Sequence, residues 1–279
     1  MKAVIAPISE PSPTLAHGPG HAPLPPEWAE WSEEPGVGVR LEEEGVLHGA
    51  LHVIIVGRDE AWLEGLWVHP STRGRGVGRQ LVAEAEGVAR QHGAATVRTA
   101  VPARDYAAMA VAERMGYRRA TRADVLVAGI EAGPIDIAYD AQVAPAAPTD
   151  VPAIERVLST AEPLAGWRGL VPLGWRFRRL VPELLHGLIK SDRVVRSGER
   201  VEGVVGFGLR GQTAVIAFLC GPRAQQQALY GAVAERARGA GADRIAMFVP
   251  DAAALSGLRA PFTAHAWCPD GLVIVEKQT

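Results

Sequence analysis

The sequence predicts an α/β (α+β) chain built as two similar domains. Two observations carry this. From Val37 onward, strand-like runs broken by glycine and charge give way to a strand, a glycine-arginine turn, a helix, a strand and a second helix. The pattern then returns: a shift of 148 positions lays ARQHGAATVRTAVP (89–102) on ARGAGADRIAMFVP (237–250), with Ala, Arg, Gly, Ala, Val and Pro coinciding and Leu81 falling on Leu229. Chance likeness between two alanine-rich helices is the competing explanation, but the shared order helix, Gly-Ala, strand, Val-Pro favours a duplicated fold. A length of 279 residues accommodates two ordinary domains. The expected division is 1–130 and 131–279, with the linker near Gly129 to Pro134.

Taken in order, Met1 to Ile8 reads as a short strand. Residues 9–27 are crowded with proline, glycine and histidine and read as an extended loop, because proline breaks helices. His17 and His21 in it lack an acidic or cysteine partner nearby, so they read as loop residues rather than metal ligands. Pro26 to Glu34 can form a short helix with proline in its first turn. Val37–Glu42, Val46–Val56 and Ala61–His69 read as three hairpin-connected strands. A helix from Val77 to Gln91 stops at Gly93, and Thr96–Val101 is a strand closed by Pro102. Asp105 can cap a helix from Tyr106 to Met115 that Gly116 ends, and residues 117–128 complete the sheet. In the second half, Thr149–Ser159 and Gly174–Ile189 read as helices, and Val201–Arg210 with Ala214–Leu219 as a strand hairpin.

The stretch from Leu63 to Gln80, LEGLWVHPSTRGRGVGRQ, concentrates the chemistry. Pro70 ends the strand ladder. Gly74, Gly76 and Gly78 then alternate with Arg73, Arg75 and Arg79, and Leu81, Val82, Ala85, Val88 and Ala89 take up helical spacing. A glycine turn at a helix N-terminus aims backbone N–H groups outward where the helix dipole favours an anion, and glycine lets a phosphate approach the main chain. A P-loop would need a lysine that is absent here. A dinucleotide GxGxxG would need a third glycine where Leu81 stands. The form R-x-x-G-x-G fits Arg73, Gly76 and Gly78 directly; the alternative is a solvated arginine-glycine turn.

With L-x-V-x-P upstream (Leu66, Val68, Pro70) and E-R-M-G-Y downstream (Glu113 to Tyr117), this motif resembles the acetyl-CoA pyrophosphate loop of the GNAT family of N-acetyltransferases. The resemblance implies two GNAT-like domains, each a mixed, mostly antiparallel sheet flanked by helices. Residues 1–130 would bind acetyl-CoA and catalyse. Residues 131–279 would be a degenerate copy without the pyrophosphate loop, since Arg73, Gly76 and Gly78 fall on Gly221, Ala224 and Gln226. It also implies that Arg73, Gly74, Arg75, Gly76, Val77, Gly78 and Arg79 hold the pyrophosphate. Leu66, Trp67 and Val68 would lie along the pantetheine, with the Val68 N–H on the acetyl oxygen. Asp105 stands where many relatives have an asparagine that touches the pantetheine. The segment before the first hairpin is shorter and richer in proline than the family's usual pair of acceptor-site helices.

Transfer to an amine needs a base. Glu64, four residues before Val68, is the candidate, and the run Leu63 to Val68 is similar to the L-E-G-I-Y-V of aminoglycoside 6'-N-acetyltransferases. The competing reading is a solvated edge carboxylate. The tyrosine that many relatives use as the acid is replaced by Ala112; Tyr106 and Tyr117 do not match its position, and Tyr106 reads as a half-buried aromatic. Trp62 and Trp67 flank Glu64 and could line an acceptor pocket, while Trp28, Trp31, Trp167, Trp175 and Trp267 read as core or interface residues. Trp175 to Leu180, WRFRRL, is the most basic patch; it could meet an acidic substrate or phosphate, but reads rather as a solvated helix face with apolar backing.

Composition narrows the partners. Hydrophobic residues are 48% and charged residues 22%, as in globular proteins, and the net charge of -2 gives no electrostatic case for nucleic acid or an anionic membrane. Two cysteines, Cys220 and Cys268, outside any CxxC pair argue against metal and disulfide frameworks. No run approaches the ~20 apolar residues of a membrane span, and the N-terminus lacks a signal-peptide pattern; the expectation is a cytoplasmic protein. The function expected is acetyl transfer from acetyl-CoA, as co-substrate and without a metal, to a primary amine of a small molecule. The second domain would cover the acceptor side or pair two copies as a homodimer. The alternative is a non-catalytic acyl-CoA-binding sensor or partner-binding protein.

Overall fold

The computed structural model describes residues 2–7, 36–130, 142–250 and 258–279. The loop expected over 9–27, the helix expected over Pro26 to Glu34 and most of the expected linker lie outside them. The chain forms two compact units that interleave in sequence: residues 1–101, 105–119 and 274–279 in one, and residues 102–104 and 120–273 in the other.

In the first unit, β1 (Lys2–Pro7), β2 (Val37–Glu43), β3 (Val46–Ile55) and β4 (Glu60–Val68) run antiparallel to one another, and β5 (Thr96–Pro102) joins β4 in parallel. The C-terminal strand lies beside β5. Helix α1 (Val77–Gln91) covers one face. Val77, Leu81, Val82, Ala85, Val88 and Ala89 fall on its buried side, each large aliphatic contributing about 1.5–3 kcal/mol on full burial. Its end is a Schellman turn: Gly93 takes φ 82°, its N–H reaches the Arg90 carbonyl, and Ala94 N–H reaches Ala89. Helix α2 (Tyr106–Arg114) begins with the Asp105 carboxylate accepting from Ala108 N–H at 2.9 Å, and Gly116 ends it in the same way. The last residues are tied in by buried charge: Arg98 bonds Glu276 at 2.9 Å and Lys277 bonds Glu86 at 2.7 Å.

In the second unit, β6 (Arg118–Gly129) runs antiparallel to a later strand, so the segment after α2 builds this sheet. After β7 (Val143–Pro145) come α3 (Val151–Ser159), the short α4 (Glu162–Gly166), the hairpin β8 (Leu170–Leu173) and β9 (Arg176–Arg179), and α5 (Pro182–Lys190). β10 (Val194–Ser197), β11 (Gly203–Arg210) and β12 (Thr213–Cys220) follow, then helix α6 (Arg223–Gly239) and β13 (Arg244–Val249), parallel to β12 and antiparallel to β6. The helix expected over Gly174–Ile189 is therefore half strand. Gly174 and Trp175 both take positive φ (59° and 73°) and turn the β8–β9 hairpin. Val181, ahead of Pro182, is held extended, so the helix starts only at the proline. The Gly-Ala repeat has a physical cause: Gly241 (φ 87°) and Ala242 close α6 with the same Schellman bonds that Gly93 and Ala94 make on α1.

Candidate active site

The register of β4 shapes the site. Gly49 pairs with Val68 and Ala50 with Trp67, but His52 pairs with Glu64, so Leu51 faces both Gly65 and Leu66. This is a β-bulge at Gly65, whose φ of 70° suits glycine. The extra residue puts Trp67, Glu64 and Trp62 on one face with Ala50, His52 and Ile54. Gly49 lies on the other face, where a Cβ would strike Leu81 of α1 at 2.8 Å. Glu64 therefore stands on the face away from α1.

The parallel ladder with β5 joins Glu60–Leu63 to Thr96–Thr99 and stops there, while β4 continues to Val68. Beyond Leu63 the two strands part. His69 N–H bonds the His48 carbonyl of β3 at 2.9 Å. Since successive N–H groups of a strand point to opposite edges, the Val68 N–H is directed to the opening between β4 and β5. Leu66, 39% exposed, and half-buried Trp67 and Val68 border this edge.

The turn beyond is held from beneath. Thr72 is buried and its hydroxyl donates to the His48 and His69 carbonyls, and Arg73 Nε donates to the Val68 carbonyl at 3.2 Å. Gly74 and Gly76 take φ 76° and 86°, the left-handed region that favours glycine. A Cβ on Gly74 would meet nothing within 4 Å, and on Gly76 only the tip of Arg79 at 3.7 Å. Gly76 caps α1 without a side-chain hydrogen bond, so the first-turn N–H groups of Val77, Gly78 and Arg79, which no helix satisfies internally, face outward. Arg73, Arg75 and Arg79 are exposed around them. Amides at a helix N-terminus, open approach over glycine and three guanidinium groups fit a pyrophosphate. Among the described residues no group of His, Cys, Asp or Glu is placed to hold a metal, and no helix is long and apolar enough to cross a membrane.

The candidate base is no solvated edge carboxylate: the Glu64 side chain is 9% exposed and its Oε1 lies 3.3 Å from Nδ1 of His52, which is fully buried. His52 was invisible to motif reading, because its relation to Glu64 exists only through the hairpin register. Asp105 is committed to capping α2. Ala112 is buried. Tyr106, expected half-buried, is 76% exposed because α2 turns it outward, and Tyr117 is a core residue whose phenol is pushed up by burial first and by the Glu86 charge second. Trp62 is buried, while Trp267, expected in a core or at an interface, is 55% exposed.

Residues 6–117 match the model of the acetyltransferase (GNAT) family. The GNAT match ends at Tyr117, inside the first unit, and spans the bulge, the glycine-arginine turn and α2. The whole chain resembles GNAT structures in fold. With a GCN5-related N-acetyltransferase from Sphaerobacter thermophilus it shares 18% identity and a TM-score of 0.58, over 87% of this chain and 80% of the other. With a tandem GNAT protein from the clavulanic acid biosynthesis pathway the figures are 15% and 0.55, over 99% and 98%. With a glucosamine N-acetyltransferase region of a fungal multi-domain β-N-acetylglucosaminidase they are 12% and 0.61, over 99% of this chain and 38% of that one. No curated protein matches the chain in sequence.

The second unit has the same opening without the cradle. Its parallel ladder stops at Ile216 and Met247, and Ala217 bulges where Gly206 gives way to Phe207 on the neighbouring strand. But only Gly221 and Pro222 separate β12 from α6, where His69–Gly76 separate β4 from α1. The turn of the second unit is shorter than that of the first as well as different in residues. At the first turn of α6, Gln225 hydrogen-bonds Ser197 and the Glu202 carboxylate, which brings a negative charge to the place a phosphate would need.

Proposed function

We propose that the first unit transfers an acetyl group from acetyl-CoA to a primary amine of a small molecule. The observation that carries this reading is the opening between β4 and β5, with the Val68 N–H directed into it and the glycine-arginine turn at its end. Acetyl-CoA, when bound, supplies an activated thioester. The amides of residues 74–79 and the guanidinium groups of Arg73, Arg75 and Arg79 receive the pyrophosphate. Leu66, Trp67 and Val68 line the pantetheine, and the Val68 N–H stabilises negative charge as it develops on the acetyl oxygen. Glu64 takes a proton from the amine, directly or through water. Ala112 provides no acid, so solvent protonates the departing thiolate. The GNAT match over this unit supports acyl transfer. The second unit is read as a copy that has lost its cradle.

Titration calorimetry with acetyl-CoA tests the cofactor site. Native protein is expected to bind in the micromolar range and Gly76→Glu, folded by circular dichroism, to lose binding through bulk and charge. A folded native protein that does not bind would overturn the reading. A second reading, an acyl-CoA-binding sensor without turnover, is favoured by the methyl group of Ala112. Glu64→Gln separates the two: an enzyme loses turnover and keeps acetyl-CoA affinity, whereas a sensor changes in neither.

A further inference from the structure

The candidate base has a neighbour that no motif marks. His52 sits on β3 directly across from Glu64. It has no exposed surface, and its Nδ1 stands 3.3 Å from Glu64 Oε1. The contact has the distance of an ion pair, but its alignment falls short of a formed hydrogen bond, and neither ring nitrogen makes one in the described structure. An imidazole buried without hydrogen bonds costs about 1–3 kcal/mol, so an apolar residue would suit a purely structural position better. The ring is also fixed in place. Gly36 passes over its other nitrogen so closely that a Cβ there would come within 2.0 Å of Nε2 and 2.8 Å of the Val53 carbonyl. Gly36 thus leaves space for the imidazole and denies it room to swing away, leaving Nδ1 on the side of the carboxylate.

We propose that His52 is the positioning residue for Glu64: with its hydrogen on Nδ1, the clamped imidazole donates toward Oε1 and holds the carboxylate in the orientation from which it accepts the amine's proton. This rests on the reading of Glu64 as the base. The bulge at Gly65 makes the arrangement useful, because it keeps Glu64 on the face of His52 while the strand beyond veers from β5. Contacts of this kind tighten as the reacting complex forms. His52 touches neither substrate nor acyl group and acts only through Glu64.

Nitrogen NMR of the imidazole rings, in native protein and in Glu64→Gln, tests the contact without reference to turnover. The expected result is a proton on His52 Nδ1 and a shift of that nitrogen when the carboxylate becomes an amide. A proton on Nε2, or identical signals in the two proteins, would overturn the proposal. Kinetics on an amine that the native protein acetylates then test the role. His52→Leu is expected to lower kcat by up to roughly 100-fold, the cost of a misplaced catalytic group, with both KM values held. His52→Asn, whose side-chain N–H stands near the Nδ1 position, is expected to restore much of the rate. Adding His52→Leu to Glu64→Gln is expected to cost nothing more. An equal loss in both backgrounds, or a loss appearing in KM, contradicts positioning through Glu64. Should His52→Leu fail to fold, His52→Asn and the NMR comparison still decide. If native protein acetylates no amine while His52 shows the Nδ1 proton and the shift, the proposed function fails and the His52–Glu64 contact stands.

Discussion

Arg98 and Glu60 form an ion pair in the interior of the first unit: Nη1 donates to Oε1 at 2.7 Å, and neither side chain is more than 7% exposed. The two strands that carry them are paired where the parallel ladder is still intact, just before β4 and β5 part. Glu276 from the C-terminal strand bonds the same guanidinium through Nε at 2.9 Å. One buried cation therefore joins three strands beneath the opening.

Removing one partner of such a cluster leaves buried charge behind, at a cost of about 3–5 kcal/mol. Arg98→Leu is therefore expected to destabilise strongly. Arg104 makes an equally short contact with Asp270, at 2.8 Å, but its side chain is 75% exposed. Exposed pairs contribute about 1 kcal/mol or less, so Arg104→Ala is expected to change stability little. Urea unfolding of the two variants checks the contrast; similar losses in both would show that burial is not what decides.

Acetyl-CoA is expected to bind once per chain. The second unit keeps the bulge and the parting strands, yet a Cβ on Gly221 would come within 2.5 Å of the Gly203 backbone, so the turn before α6 is packed shut. The Glu202 carboxylate adds repulsion at the helix start. Calorimetric stoichiometry checks this, and two equivalents per chain would show that α6 binds a phosphate despite both.

The two thiols are expected to be inert in the folded protein. Cys220 and Cys268 are buried, and burial pushes each thiol up to about 12. Since the thiolate is the reactive form, a disulfide reagent at pH 8 should label neither in native buffer and both in guanidinium chloride. Rapid labelling of the native protein would contradict this.

Stability is expected to fall under mild acid because of His265. Burial first, and the Arg244 charge second, lower its pKa below 6.5 in the folded state. The unfolded chain then binds the proton more readily, so the contribution is complete above about pH 6.5 and is lost as pH falls toward the folded value. Protonation also removes the acceptor that His265 Nδ1 offers to Trp267 N–H at 3.3 Å. Urea unfolding between pH 7.5 and 5.5 should show the native protein losing more stability than His265→Gln; parallel losses would assign the acid sensitivity elsewhere.

Some of this architecture is written in short stretches of sequence. Gly93, Gly116 and Gly241 end their helices and Asp105 starts one, because a cap depends on a few consecutive residues and on one backbone conformation. The glycine-arginine turn is legible for the same reason: Gly74 and Gly76 at positive φ, followed by an amphipathic helix, form a local device. The segment Gly174–Ile189 misled because its apolar spacing suits a helix, while two positive-φ residues and the constraint ahead of Pro182 divide it into a hairpin and a shorter helix.

The sequence by itself determined the α/β class, the recurring caps and the glycine-arginine turn at the start of α1. The tertiary structure alone decided what surrounds Glu64. The bulge at Gly65 depends on which residue of β3 faces it, and His52 and Gly36 meet Glu64 only through strand pairing. The shortened turn before α6 appears only when the ends of its strand and helix are located. Register and enclosure are properties of partners distant in the chain, and so a carboxylate that the sequence leaves open to a solvated reading is found with its side chain 9% exposed beside an imidazole.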